Sequence, residues 1–195
     1  MQKLEVINAM LGSMGEAPLN TLTEPHAFRG AALSIFDSVN AQVQGRGWWF
    51  NMEELELQPS ALDSNIYLPG DTAAVRTPTR NVTRRGNRLY DLDGGTYVFT
   101  EAVKVTLIRL LPIEDLPESA AQHVRALCVL KFQTTYDGDT AKTRALTDEV
   151  FGPDGTRVIL YAEHTRNRRT NLITSNPRLQ RLKLLTLRGR VLAGR

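Results

Sequence analysis

Apolar residues recur at steps of three and four along the start of the chain: Leu4, Ile7, Met10, Leu11 and Met14. That period puts them on one face of an amphipathic helix over residues 3–14, with Gly15 as a natural left-handed stop. Glu16-Ala17-Pro18 makes a turn. A second helix is predicted from Pro25, which suits a first helical position, to about Gln44. Its apolar stripe is Phe28, Ala32, Ile35, Val39 and Val43, widened by Phe36. Gly45-Arg46-Gly47 ends that helix, and Trp48-Trp49-Phe50 follow at once.

The period then shortens to two. Leu55 and Leu57 alternate with charged residues, and residues 65–69 and 73–76 are short β-like runs between turn formers. Residues 81–85 and 88–91 flank Gly86-Asn87 and predict a β-hairpin. Asp93-Gly94-Gly95 turns the chain into another short run, residues 96–99. From Val103 the chain alternates for four residues and then becomes more continuously apolar through Leu107, Ile108 and Leu110. The far end of this strand is therefore expected to be buried on both faces.

Helical spacing returns after Pro112. Asp115 is the expected cap, with Pro117 in the first turn and Glu118 at the positive end of the dipole. Ala121, Val124, Leu127, Cys128, Lys131 and Phe132 form the stripe. A further helix is expected from about Thr140 to Phe151, broken or sharply kinked by Gly152-Pro153-Asp154-Gly155, with helical spacing resuming from Arg157 to about Arg168. From Thr170 the chain is basic and leucine-rich, which reads as an extended arm with one helical turn at most. The order predicts an α+β fold. A discontinuous helical bundle (residues 1–50 and 112–169) flanks an inserted small antiparallel β module (51–111), followed by a C-terminal arm (170–195).

Composition narrows the class. Of 195 residues, 42% are apolar and 23% charged, ordinary values for a soluble globular chain. No apolar run approaches the roughly 20 residues of a membrane span, and no secretory signal is expected at the start, so a soluble intracellular protein without membrane contact is expected. One cysteine, Cys128, excludes an intrachain disulfide framework and a multi-cysteine metal site. The net charge of +3 conceals segregation: −6 over residues 1–75, +4 over 76–112, −4 over 113–155 and +9 over 156–195. A tail this basic suits an acidic partner or a polyanion.

Catalytic chemistry is thin. His26, His123 and His164 fall in no metal-ligand spacing, and no cofactor is implied. Cys128 sits on a predicted inner face, where cysteine is a small buried hydrophobe. Gly12-Ser13-Met14-Gly15 lacks the glycine two residues before the serine and reads as a helix end. Asp91-Leu92-Asp93-Gly94 opens like a calcium loop but lacks the later ligands, so it reads as a turn. Paired carboxylates are identified only by their spacing in three dimensions. Arg80, Arg84, Arg85 and Arg88 on the hairpin suit a phosphate backbone, or simply a charged strand pair that resists aggregation. Trp48, Trp49 and Phe50 suit base stacking or a partner, but a helix-to-sheet junction more often buries such residues.

Four stretches, in order, carry a family likeness: Leu4 to Leu11 running on to Gly15-Glu16-Ala17-Pro18; Val43 to Asn51; Arg84 to Asp91; and Leu110-Leu111-Pro112 followed by Glu114-Asp115-Leu116-Pro117. In these the sequence resembles the tail tubular protein A family, the head-to-tail adaptor (gatekeeper) of short-tailed bacteriophages. The likeness covers about residues 3–136 and thins beyond. It implies a non-enzymatic virion protein, assembled in the host cytoplasm, that forms a dodecameric ring at the portal vertex. Its implied partners are the portal protein, the nozzle (tail tubular protein B), the tail fibre and the DNA that passes through the lumen. The family's arm reaches the portal, which makes Asn171, Leu172, Ile173, Pro177, Leu179, Leu182, Leu184 and Leu185 the candidate portal contacts here. Arg80, Arg84, Arg85 and Arg88 are candidates to face the nozzle or the DNA. Segregated charge suits a ring, whose subunits need two complementary, non-identical faces. The alternatives are a free, sequence-independent nucleic-acid-binding protein and a tail-associated cell-wall hydrolase, for which no catalytic constellation can be nominated.

Overall fold

The structure, a computed structural model, describes residues 1–175 apart from Thr79 and Asp154, with side chains as far as Arg168. It is an α+β fold. The helices are α1 (Lys3–Ser13), α2 (Arg29–Gln44), α3 (Glu118–Tyr136), α4 (Thr140–Phe151) and α5 (Thr156–Ser175). The strands are β1 (Met52–Leu57), β2 (Thr72–Arg76), β3 (Val82–Arg85), β4 (Arg88–Asp91) and β5 (Val103–Arg109).

Helix α1 buries Val6, Ile7, Met10 and Leu11, and Gly15 ends it at φ +81°. Helix α2 starts four residues later than Pro25 suggests. The Phe28 N–H is taken by His26 Nδ1 (3.2 Å) and the Arg29 N–H by the His26 carbonyl (3.2 Å), which closes a separate turn. Helix α3 likewise begins after Pro117 and not at Asp115. Residues Ile113–Asp115 form a 3-10 turn, and Leu116, restricted by the proline that follows it, is extended at ψ 146°. Asp139 caps α4 by accepting from the Ala141 and Lys142 amides at 2.8 and 3.1 Å. Residues 152–155 do split the last two helices: a Cβ at Gly152 would collide with the Asp148 carbonyl, so only glycine makes this exit. Helix α5 then runs unbroken to Ser175, six residues into the segment read from sequence as an arm.

The strands form an antiparallel sheet in the order β1-β5-β2 and a separate β3-β4 hairpin that packs beside β2. Gly86 at φ +65° supplies the first position of the two-residue turn and sets Arg85 opposite Arg88. The runs at 65–69 and 96–99 make single bridges (Asn65 to Val98, Tyr67 to Arg88, Asp91 to Thr96) and no full strands. Pro69 cannot donate to a ladder, and the Asn65 N–H is bound by the Asp63 carboxylate at 3.1 Å. Strand β5 is buried at Val103, Val105 and Leu107 on one face and at Ile108 on the other. The double burial expected of its far end is therefore present.

Two apolar cores result. Helices α1, α2, α3 and α5 bury Met10, Phe36, Val43, Trp48, Val124, Phe132 and Leu160 in one. Ile66, Leu68, Leu89, Phe99, Val103, Val105 and Leu107 form the other. A buried polar clasp joins them where the strands begin and end. Asn51 Oδ1 accepts the Trp48 N–H (2.7 Å), while its Nδ2 donates to the Gln44 and Arg109 carbonyls (2.9 and 2.8 Å). The Gln44 amide accepts the Leu111 N–H and donates to the Leu111 carbonyl, both at 2.8 Å. Gly47, at φ +77°, lets the chain pass under Ile108, whose Cδ1 would lie 2.8 Å from any Cβ there.

Candidate interaction surfaces

Several groups singled out for chemistry have structural surroundings. The His123 ring is buried beside Thr156 Oγ1 (3.1 Å). Burial, helped by the Arg157 and Arg46 charges, pushes its pKa down to about 4, so it is neutral at pH 7. His164 packs edge-on against Trp48, and burial and the Arg168 charge lower its pKa too. Burial raises the Cys128 thiol to about 12, which leaves it protonated and unreactive. Ser13 donates to the Met10 carbonyl (2.7 Å) at the end of α1. Asp91 accepts from the Asp93 and Gly94 amides (2.9 and 3.0 Å), as the turn reading requires. Among the described residues, no group of three or more His, Cys, Asp and Glu is arranged to hold a metal ion.

The hairpin register sorts the four candidate arginines. Arg85 and Arg88 are directly opposed and share a face with Thr83 and Tyr90. The Arg85 guanidinium lies 3.5 Å from the Tyr90 ring centroid, and that of Arg88 lies 4.3 Å from Tyr97. The two tyrosines meet edge to face at 4.8 Å. This is a stacked cationic and aromatic platform. Arg84 is on the other side, with Leu89, and donates to the Gly86 carbonyl (2.7 Å). Arg80 precedes β3 and lies 3.6 Å from Glu101. The structure thus brings two of the four together.

The tryptophan pair divides. Trp48 is buried and donates from Nε1 to the Val43 carbonyl (2.6 Å), whereas Trp49 and Phe50 are half-buried and meet edge to face at 5.0 Å. Of the candidate portal contacts, Asn171, Leu172 and Ile173 lie on the last turns of α5. Pro177, Leu179, Leu182, Leu184 and Leu185 lie outside the described residues.

Two apolar features were not singled out from sequence. Leu62, in the loop after β1, is 97% exposed. At the elbow between α4 and α5, Phe151, Val158, Ile159 and Tyr161 are each 37–47% exposed. Both depend on how distant elements pack, and neither breaks a local pattern.

Comparison with known proteins bears on what these surfaces meet. A family model described as tail tubular protein matches residues 4–182, well past the point where the motif likeness thins. Tail tubular protein A of Klebsiella phage KP34 is 29% identical over 184 residues, which is 93% of this chain and 95% of that relative.

Proposed function

The chain belongs to the tail tubular protein family, a structural component of the phage tail, and on that premise we propose that it is a ring-forming adaptor between portal and nozzle whose lumen passes DNA. The observation that carries this reading is the family match over nearly the whole chain. The segregated charge supports it, because a closed ring needs two different faces that attract one another. In this reading residues 1–50 and 112–169 act as one helical unit and 51–111 as a β module set into it. The ring is dodecameric and sits at the portal vertex of the virion. It takes the tail fibre as a further partner, is assembled in the host cytoplasm and catalyses no reaction.

The basic segment from residue 170 reaches the portal. The platform of Arg85, Arg88, Tyr90 and Tyr97 meets the nozzle or the DNA, since guanidinium groups stacked on rings suit both carboxylates and phosphates. That platform also supports the second reading, a free nucleic-acid-binding protein. Such a protein binds duplex tightly, with a steep salt slope.

Removing residues 176–195, which leaves α5 whole, tests the adaptor reading. The truncated chain keeps its far-ultraviolet circular dichroism and melting temperature but no longer binds portal in sedimentation. Unchanged portal affinity refutes a portal role for residues 176–195. Duplex binding tighter than micromolar at physiological salt, lost on the same deletion, favours the second reading.

A further inference from the structure

We propose that the loop bearing Leu62 docks into the apolar hollow at the α4–α5 elbow of a second copy of this chain, and that this contact, repeated, closes the ring. The proposal rests on the ring reading above and names the surfaces that make it.

The loop is built to present its leucine. The Ser60 N–H donates to the Asn65 carbonyl and the Ser64 N–H to the Ser60 carbonyl, both at 2.8 Å. The Leu62 N–H donates to Ser60 Oγ at 3.3 Å. The Asp63 carboxylate accepts from the Asn65 side-chain amide (2.8 Å) and the Tyr67 hydroxyl (2.7 Å). Ser64 holds φ +58°, the one non-glycine residue with positive φ among the described residues. A lone exposed leucine needs no explanation. A leucine 97% exposed on a braced loop with a left-handed serine is pre-organised for contact, and its docking costs little ordering entropy.

The hollow is lined by Phe151 of α4 and by Val158, Tyr161, Ala162 and Thr165 of α5. The four α5 positions fall at steps of three and four, on one exposed helix face. Its rim is cationic. The Arg157 guanidinium lies 5.4 Å from both the Phe151 and the Tyr161 ring centroids, and Arg46 donates to the Tyr161 hydroxyl at 2.6 Å. The loop and the strand before it carry the opposite sign: residues 53–63 contain Glu53, Glu54, Glu56 and Asp63 and no base. Glu53 is taken by Arg109 at 2.8 Å, while Glu54 and Glu56 have no ion-pair partner among the described residues. Both are exposed on β1, an edge strand that leads into the loop; Glu56 stands opposite Lys104 of β5, and Asp63 adjoins the leucine itself.

An apolar knob on an acidic segment and an apolar hollow rimmed by arginine are thus carried on different elements of one chain. Such a pair is heterologous: each copy offers its knob to one neighbour and its hollow to the other, which is the contact a ring repeats. Charge complementarity selects a second copy of this chain over an unrelated apolar partner.

Cysteine pairing tests this in the full-length chain, with portal added where ring formation needs it. The native Cys128 is fully buried, so introduced thiols report alone. Under mild oxidation the Leu62→Cys/Ala162→Cys double variant should give a ladder of covalent multimers on a non-reducing gel. An equal mixture of the two single variants should stop at dimers, and each single variant alone should stay monomeric. Absence of the ladder, under conditions where the unmodified chain forms rings, overturns this contact and leaves the ring reading standing. An unmodified chain that stays monomeric with portal and nozzle present overturns both. As a second measurement, Leu62→Asp should weaken ring assembly at least tenfold with unchanged circular dichroism. Unchanged assembly also overturns the contact.

Discussion

The polar clasp between the two cores makes a quantitative prediction. Asn51 is 1% exposed and uses its whole side-chain amide: the oxygen holds the Trp48 N–H, and the nitrogen holds the Gln44 and Arg109 carbonyls. Asn51→Leu keeps the branched shape and removes all three bonds. The buried Trp48 N–H then has no other acceptor among the described residues, and an orphaned buried donor costs about 2 kcal/mol. The two carbonyls suffer less. That of Gln44 still accepts the Gly47 N–H at 3.0 Å, so about 0.5 kcal/mol is assigned to each. The sum is about 3 kcal/mol, a large share of the roughly 5–15 kcal/mol that holds an ordinary domain folded. For a chain of this length that corresponds to a fall in melting temperature of about 9 °C. Urea denaturation followed by tryptophan fluorescence measures it, with Glu54→Gln on the exposed edge of β1 as a control expected near zero. A loss under about 1 kcal/mol with an unchanged m-value would refute the clasp as a buried, irreplaceable junction.

Three further predictions follow from packing and charge. His123 binds its proton at about 4 when folded and near 6.5 when unfolded, so the unfolded chain holds more protons between those values. The His123 contribution to stability is therefore flat above pH 6.5 and falls by about 3 kcal/mol as pH drops toward 4, His164 adds in the same direction, and His123→Gln should make that acid limb shallower in pH-dependent urea titrations. Trp48→Ala should cost about 3–5 kcal/mol in the same assay, and Trp49→Ala clearly less, since only Trp48 is enclosed; equal losses would contradict that division. Replacing both Arg85 and Arg88 by alanine should leave the melting temperature within about 2 °C, because Arg85 is exposed and Arg88 only half-buried, yet weaken binding to nozzle or duplex in a salt-dependent way. Unchanged binding would remove the platform from the contact surfaces.

Much of the fold was legible in the sequence because it is local. The three-and-four spacing from Leu4 to Met14, the glycine stop at Gly15 and the Gly86-Asn87 turn each specify their own element. The loss of alternation in β5 correctly announced burial on both faces at Leu107 and Ile108. What failed locally failed by competition. His26 captured the amide that would have opened α2 at Pro25, and Pro117 forced Leu116 out of the helical region before Asp115 could cap. The runs at 65–69 and 96–99 look like strands but make only isolated bridges, to each other and to β4, and no continuous ladder. The clasp was illegible because its partners lie 58 and 67 residues apart. The candidate surfaces divide in the same way. The hairpin arginines were found by composition, but only the register showed that Arg85 and Arg88 stand together and Arg84 apart. The Leu62 knob and the α4–α5 hollow leave no periodic trace, since one leucine in a loop and one apolar helix face mean nothing until packing leaves both uncovered.

The central claim is that this chain closes into a ring on the portal. Negative-stain electron microscopy of the full-length protein mixed with its portal and nozzle tests it most directly. The account predicts coaxial assemblies in which a ring of this chain lies between the other two, with an open central channel. Portal and nozzle images that carry no added ring, with this chain remaining monomeric in the background, would contradict it.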